Sequence, residues 1–87
     1  MRKHLNLILK EVFYTNLINT RSSLGFTQSQ MANILYMDPR SYIDLDHGKC
    51  SCSALTLALF LIYCCSDKNL FFEELQEAFE KGTDTVA

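Results

Sequence analysis

Apolar residues recur every three to four positions along most of this 87-residue chain, which is the period of an amphipathic helix. Residues 1–24 carry two such stripes, and the register between them shifts near Thr15 and Asn16, where weak helix formers accumulate. The shift predicts either one bent helix or two helices with a break. Residues 69–81 carry apolar side chains on one side and glutamates on the other. No alternation typical of a strand lasts long enough to matter, so the pattern predicts an all-α fold.

Two short helices are predicted in the middle of the chain by their capping residues. Thr27 and Gln30 have the spacing of a capping box, in which each side chain satisfies the other residue's backbone N–H. Asp38 suits the N-cap of a second helix, and Pro39 suits its first position, where a backbone donor is not needed. Tyr42 and Leu45 lie three apart and can turn inward, and Gly48 can then end this helix with a left-handed backbone conformation.

Residues 54–65, with the sequence ALTLALFLIYCC, are apolar nearly all round. Twelve residues are too few to cross a bilayer, so they predict a central buried helix and no membrane association. Gly82 follows the last helical pattern, and residues 83–87 are predicted to fray. One Pro and three Gly argue against a long linker, so residues 1–87 are predicted to form a single domain.

Four cysteines raise the alternatives of disulfide bonds and a metal site. The N-terminus is a poor signal peptide, which favours a cytoplasmic chain with reduced thiols. A helix between them would hold Cys50 and Cys52 roughly 18 Å from Cys64 and Cys65. Because zinc needs its thiolates about 2.3 Å away, we expect no metal, and nothing in the sequence indicates a cofactor. Cys64 and Cys65 are interpreted as core residues, while Cys50 and Cys52 lie at a helix start, where thiol pKa values can be lowered.

The spacing of apolar, capping and charged residues from Asn16 to Tyr63 is similar to that of a known family. The matching positions are Arg21, Phe26–Gln28, Met31–Ala32, Leu35, Met37–Asp38, Tyr42, Leu45–Asp46 and Gly48–Lys49. In these positions the chain resembles the Cro/cI-like (XRE) phage-repressor-type helix-turn-helix family. The resemblance implies a five-helix, lambda-repressor-like domain with a helix-turn-helix core at about 16–65, an N-terminal helical extension over residues 1–12 and a C-terminal helix at about 69–81.

Tyr36 departs from the family pattern, because the family often has Gly at this corner, where the backbone takes a positive φ. In a residue with a Cβ this conformation costs roughly 1 kcal/mol. Either the corner differs slightly in this chain, or packing of the Tyr ring offsets the cost.

The resemblance implies that the helix at 39–47 enters a DNA major groove. The residues it implies in DNA binding are Gln28, Pro39, Arg40, Ser41, Asp44 and Lys49. Arg40 would read a guanine, and Gln28 and Lys49 would contact phosphates. Arg21 and Asp46 are implied as a structural ion pair. The alternative for Arg40 is a pair with Asp44, four residues away, on a solvated helix face.

Charge limits the strength of any DNA binding. The chain has a net charge of -2, although residues 1–49 carry six Lys and Arg against four acids, and residues 50–87 carry two against six. One copy would therefore bind DNA weakly, and we expect a homodimer, formed through the N-terminal extension or the C-terminal helix. The predicted function is a small sequence-specific DNA-binding transcriptional regulator. The alternative is a protein-interaction module that uses the region of Phe72. No nucleophile pattern or phosphate-binding glycine loop indicates an enzyme.

Overall fold

The computed structural model of this protein consists of five α-helices joined by short connections. It describes residues 1–86, with side chains described through Thr83, and this part of the chain contains no β-strand. The helices are α1 (Arg2–Leu24), α2 (Gln28–Ile34), α3 (Pro39–Asp46), α4 (Ala54–Tyr63) and α5 (Lys68–Val86). The predicted all-α class with five helices is confirmed. Among the described helices, none combines the length and the apolar character needed to cross a membrane.

The first helix is continuous over 23 residues, so the alternative of two helices with a break is wrong. Asn16, at the shift between the two apolar stripes, stays helical. Its side-chain amide donates to the carbonyl of Val12 at 2.9 Å and to the carboxylate of Glu74 in α5 at 3.3 Å. The shift between the stripes therefore does not mark a break in the backbone of α1.

The N-terminal extension packs along α5 of the same chain. α5 continues through Gly82, so its predicted end at residue 81 is too early. A Cβ at position 82 would collide with Ile8 Cδ1, which shows how closely the two helices approach at this glycine. The helical backbone also continues beyond residue 83, where fraying was predicted; the last residue, Ala87, lies outside the described residues.

One hydrophobic core joins the helices, and three aromatic rings lie at its centre. The rings of Phe13 and Phe60 meet edge to face, with centroids 5.2 Å apart, and Phe60 lies 6.3 Å from Phe71. Offset and edge-to-face contacts at these distances are favourable for aromatic pairs. The other buried apolar residues are Leu17, Met31, Ala32, Leu35, Tyr42, Leu45 and Cys64. This core fixes α2 and α3 against α1.

The apolar sequence of α4 predicts a central buried helix, and this prediction is wrong. Only Thr56 and Phe60 of α4 are buried, whereas Leu55 is 68% exposed and Ile62 is 60% exposed. The helix contacts the core through one face, and no described residue covers the opposite face. Burial is decided by the neighbours of a helix, which its own composition does not specify.

Candidate nucleic-acid interface

The N-termini of α2 and α3 are capped as the sequence predicts. Thr27 Oγ1 accepts the N–H of Gln30 at 3.1 Å, and Gln30 Oε1 accepts the N–H of Thr27 at 2.8 Å, which completes a capping box. The Asp38 carboxylate accepts two N–H groups from the first turn of α3, at 3.1 and 3.3 Å, and Pro39 occupies the first helical position. These bonds satisfy donors that a helix start otherwise leaves unpaired, so they fix where each helix begins.

The turn between α2 and α3 depends on Tyr36, which has a φ of 54°. Met37 N–H donates to the carbonyl of Ala32 at 2.8 Å, and Tyr36 N–H donates to that of Asn33 at 3.2 Å. These two bonds form a Schellman motif, in which glycine usually occupies the left-handed position. The corner therefore has the positive φ that the family resemblance implies. Tyr36 is 81% exposed, so packing of its ring does not offset the cost of the left-handed backbone conformation, which is roughly 1–2 kcal/mol.

A second Schellman motif ends α3. Gly48 has a φ of 70° and donates to the carbonyl of Leu45 at 3.1 Å, while Lys49 N–H donates to the carbonyl of Asp44 at 2.9 Å. The ring of Tyr14 in α1 lies against this turn. The contact is close, since a Cβ at Gly48 would be only 3.3 Å from Tyr14 Cε1. Glycine here allows both the left-handed conformation and the close contact with α1.

A buried carboxylate ties α3 to α1 and α2. Asp46 is 5% exposed and accepts three hydrogen bonds of about equal length: from Arg21 Nε at 2.9 Å, from Gln28 Nε2 at 2.9 Å and from the Tyr42 hydroxyl at 3.0 Å. The Arg21–Asp46 ion pair implied by the resemblance is thus present, with Arg21 Nη2 a further 3.4 Å contact. Burial, followed by the hydrogen bond to Asp46, raises the pKa of Tyr42, so this hydroxyl remains a donor.

Sequence reasoning missed two members of this network. The helical spacing predicts only that Tyr42 turns inward, although Tyr42 and Asp46 are four apart on one helix and this spacing brings side chains together. Gln28 gave no such signal, because its contact with Asp46 spans 18 residues of sequence.

The structure separates the six residues implied in DNA binding into two groups. Five are exposed on or just beyond α3: Pro39, Arg40, Ser41, Asp44 and Lys49. Gln28 is half-buried, and its side-chain amide donates to Asp46 instead of facing outward. One of the two side-chain N–H groups of Gln28 is thus engaged inside the protein, and its phosphate contact stays a prediction.

Arg40 extends from the exposed face of α3. Its backbone N–H donates to the Asp38 carboxylate, but within the described residues its guanidinium forms no ion pair with Asp44. The alternative of an intrahelical pair is therefore not present in this structure. Tyr42 and Leu45 on the opposite face are buried, so the helix is held from behind while Arg40 faces outward.

A cleft beside the end of α3 brings a further lysine into this region. Lys10 and Glu11 of α1 line this cleft together with His47 and Gly48. Nothing in the sequence indicates that Lys10 lies here, because Lys10 and His47 are about 37 residues apart. Lys10 adds a positive charge beside the C-terminal end of α3, although Glu11 partly opposes it.

None of the four cysteines lies on α3. All four are free thiols, and burial raises the pKa values of Cys52 and Cys64. The alternative of a lowered thiol pKa is therefore wrong for Cys52. In the described part of the chain, no group of three or more His, Cys, Asp or Glu residues is placed to hold a metal ion.

Comparison with known proteins returns no match: no protein-family model fits the chain, and no curated protein or solved structure is significantly similar to it. The resemblance to the Cro/cI-like family thus rests on the residues named above.

Proposed function

We propose that this protein is a small sequence-specific DNA-binding transcriptional regulator of the helix-turn-helix type, in which α3 enters the major groove. The observation that carries this proposal is the position of Arg40. Its side chain is exposed and has no ionic partner among the described residues, on a helix whose other face is fixed by Tyr42, Leu45 and Asp46. A rigid helix that presents an unpaired guanidinium has the geometry that base recognition requires.

The exposed face of α3 has the chemistry for reading base edges. Arg40 can donate to the O6 and N7 atoms of one guanine together. Ser41, next to it, can donate to or accept from a base or a phosphate. Ile43 is 38% exposed and can contact a thymine methyl group, and Asp44 can accept from a cytosine amine. Four side chains are enough for a short recognition sequence, but they bring only one positive charge.

Phosphate contacts would come from residues at the edges of this face. Lys49 is exposed directly after the turn that ends α3, and Lys10 lines the cleft next to it. Arg21 contributes little, because Asp46 neutralises its charge. The resulting positive field is small, so one copy binds weakly and a homodimer doubles the contacts on two half-sites.

The test is selection of bound sequences from a random DNA duplex pool, followed by titration of the selected and a scrambled duplex at several salt concentrations. R40A should weaken binding to the selected duplex by about 5- to 150-fold and leave binding to the scrambled duplex nearly unchanged. K49A should weaken binding to both duplexes by a similar factor. It should also reduce the slope of log binding constant against log salt concentration by about one. K68A, which removes a lysine at the start of α5, is the matched control and should bind as the wild type does. Absence of DNA binding by the folded protein at low salt would contradict the proposal.

The alternative function is a protein-interaction module that keeps the same fold. It is favoured by Leu70 and Phe72 of α5, which are 50% and 52% exposed and lie next to Glu73 and Glu74. Exposed apolar residues beside acidic ones are typical of a protein contact rather than of a DNA contact. The salt titration separates the two functions, because this surface would give no DNA binding.

A further inference from the structure

The outer face of α4 carries a stripe of apolar side chains. Leu55, Ala58, Leu59 and Ile62 follow the i, i+3, i+4, i+7 spacing, so they share one side of the helix. Leu55 is 68% exposed and Ile62 is 60% exposed, Ala58 is exposed between them, and Leu59 lies half-buried at the border with the core. A surface helix normally places polar side chains on this side. The stripe is therefore unusual for a helix that faces water.

No charged side chain lies on α4 or on the residues that flank it directly in sequence. Between Lys49 and Asp67 the chain contains no Asp, Glu, Lys or Arg. DNA phosphates or a charged peptide would find no ionic complement on this surface, so its binding partner must present an apolar face. An uncharged apolar face is compatible with an identical copy of itself, because no like charges are brought together.

We propose that the outer face of α4 binds the same face of a second copy, with the two helices antiparallel about a two-fold axis. The axis passes between Ala58 and Leu59, so that Leu55 of one copy packs against Ile62 of the other, and Ile62 against Leu55. Residues 55 and 62 lie on either side of this midpoint by the same number of positions, as an isologous interface requires. The small side chain of Ala58 at the centre lets the two helices approach closely.

The size of the face agrees with a weak dimer. Tyr63, at the edge of the stripe, is 64% exposed. With it, the stripe offers on the order of 500 Å² of apolar surface per copy, which is near the upper end for the largest patch on a typical monomer. Pairing two faces would bury about 1,000 Å² in total, which is at the low end for specific protein contacts. The dimer is therefore concentration-dependent, and DNA that offers two half-sites would strengthen it.

The two surfaces predicted from the sequence are less suited to this role. The N-terminal extension already packs on α5 of its own chain. Its exposed Leu7 has Lys10 and Glu11 nearby, and the exposed Phe72 is followed by two glutamates. Charged side chains at such positions lose hydration when an interface forms, whereas α4 carries none.

The first test is sedimentation equilibrium of the protein without DNA over a wide concentration range. We expect a reversible monomer–dimer equilibrium for the wild type. L55E and I62K should each raise the dimer dissociation constant at least about tenfold, because each change places a charge in both halves of the interface. L7E and F72E, at positions of similar exposure on α1 and α5, are the matched controls and should leave the constant unchanged. The proposal would be overturned if the wild type remained monomeric at every concentration. It would also be overturned if L7E or F72E abolished the dimer.

The second test combines L55E with I62K in one chain. In the antiparallel arrangement the introduced carboxylate of one copy faces the introduced amine of the other, twice, so the double variant should regain association relative to both single variants. In a parallel arrangement like charges would meet, and the double variant would associate no better than the single ones. That result would overturn the proposed orientation. Far-ultraviolet circular dichroism checks that every variant is folded.

This inference rests on the proposed function only for its biological role, and the experiments keep the two apart. Association is measured without DNA, so a dimer that depends on α4 can be found in a protein that fails to bind DNA. Conversely, a monomer that still binds the selected duplex would overturn the α4 dimer and leave the proposed function standing.

Discussion

Replacement of Asp46 by Asn is the most direct test of how α3 is held in place. The carboxylate accepts hydrogen bonds from Arg21, Gln28 and Tyr42 and is 5% exposed. Asn has nearly the same shape, but one of its terminal groups is an NH₂ that donates and cannot accept. D46N therefore places an NH₂ donor next to side chains that themselves donate to this position. It also removes the negative charge that pairs with the Arg21 guanidinium.

The expected loss follows from the burial of the two partners. Breaking a fully buried ion pair by removing one member costs roughly 3–5 kcal/mol. The Arg21 side chain is 28% exposed, so water partly solvates its guanidinium once the carboxylate is gone. We therefore expect D46N to lower the free energy of unfolding by about 2–3 kcal/mol, a large part of the 5–15 kcal/mol typical of a domain. The melting temperature should fall by about 8–24 °C.

Urea denaturation followed by circular dichroism measures this change. E77Q is the matched control, since it also neutralises a paired acid, but in the exposed contact with Lys81 at 3.7 Å, with side chains 69% and 79% exposed. Exposed ion pairs contribute little, so E77Q should unfold almost as the wild type does. If D46N lost less than about 0.5 kcal/mol, the network would not stabilise α3 in the way described, because such changes are typical of ordinary surface sites.

Two further predictions concern tyrosines near α3. Y36G should raise the free energy of unfolding by about 0.5–1 kcal/mol in urea denaturation, because glycine removes the left-handed strain and the exposed ring contributes little packing. Y36A keeps the strain and should not raise the free energy of unfolding. An equal increase in both variants would contradict this explanation. The second prediction concerns alkaline pH. Burial raises the folded-state pKa of Tyr42 above its ordinary value of about 10, so the stability linked to this group is fully present below pH 10 and is lost as the pH rises above 10. Between pH 9 and 11, Y42F should therefore lose less stability than the wild type does, and equal losses would show that Tyr42 is not the titrating group.

The helix ends of this protein could be predicted from the sequence because caps are local. Thr27 and Gln30, or Asp38 and the two residues after Pro39, interact within one helical turn, so their spacing alone specifies the hydrogen bonds. The exposed side of α3 was predictable for the same reason, since the helical period places Arg40 opposite Leu45. The contact of Arg21 with Asp46 crosses 25 residues, and only the family resemblance suggested it.

The sequence by itself thus determined the all-α class and the capping residues, together with the residues of α3 that turn inward. Only the tertiary structure decided that α1 is unbroken, that α5 continues through Gly82 and that Gln28 donates to Asp46. It also decided that one side of α4 faces outward, although its composition predicts a buried helix. The physical reason is that a helical period ranks the faces of one helix, whereas burial depends on which neighbours pack against each face.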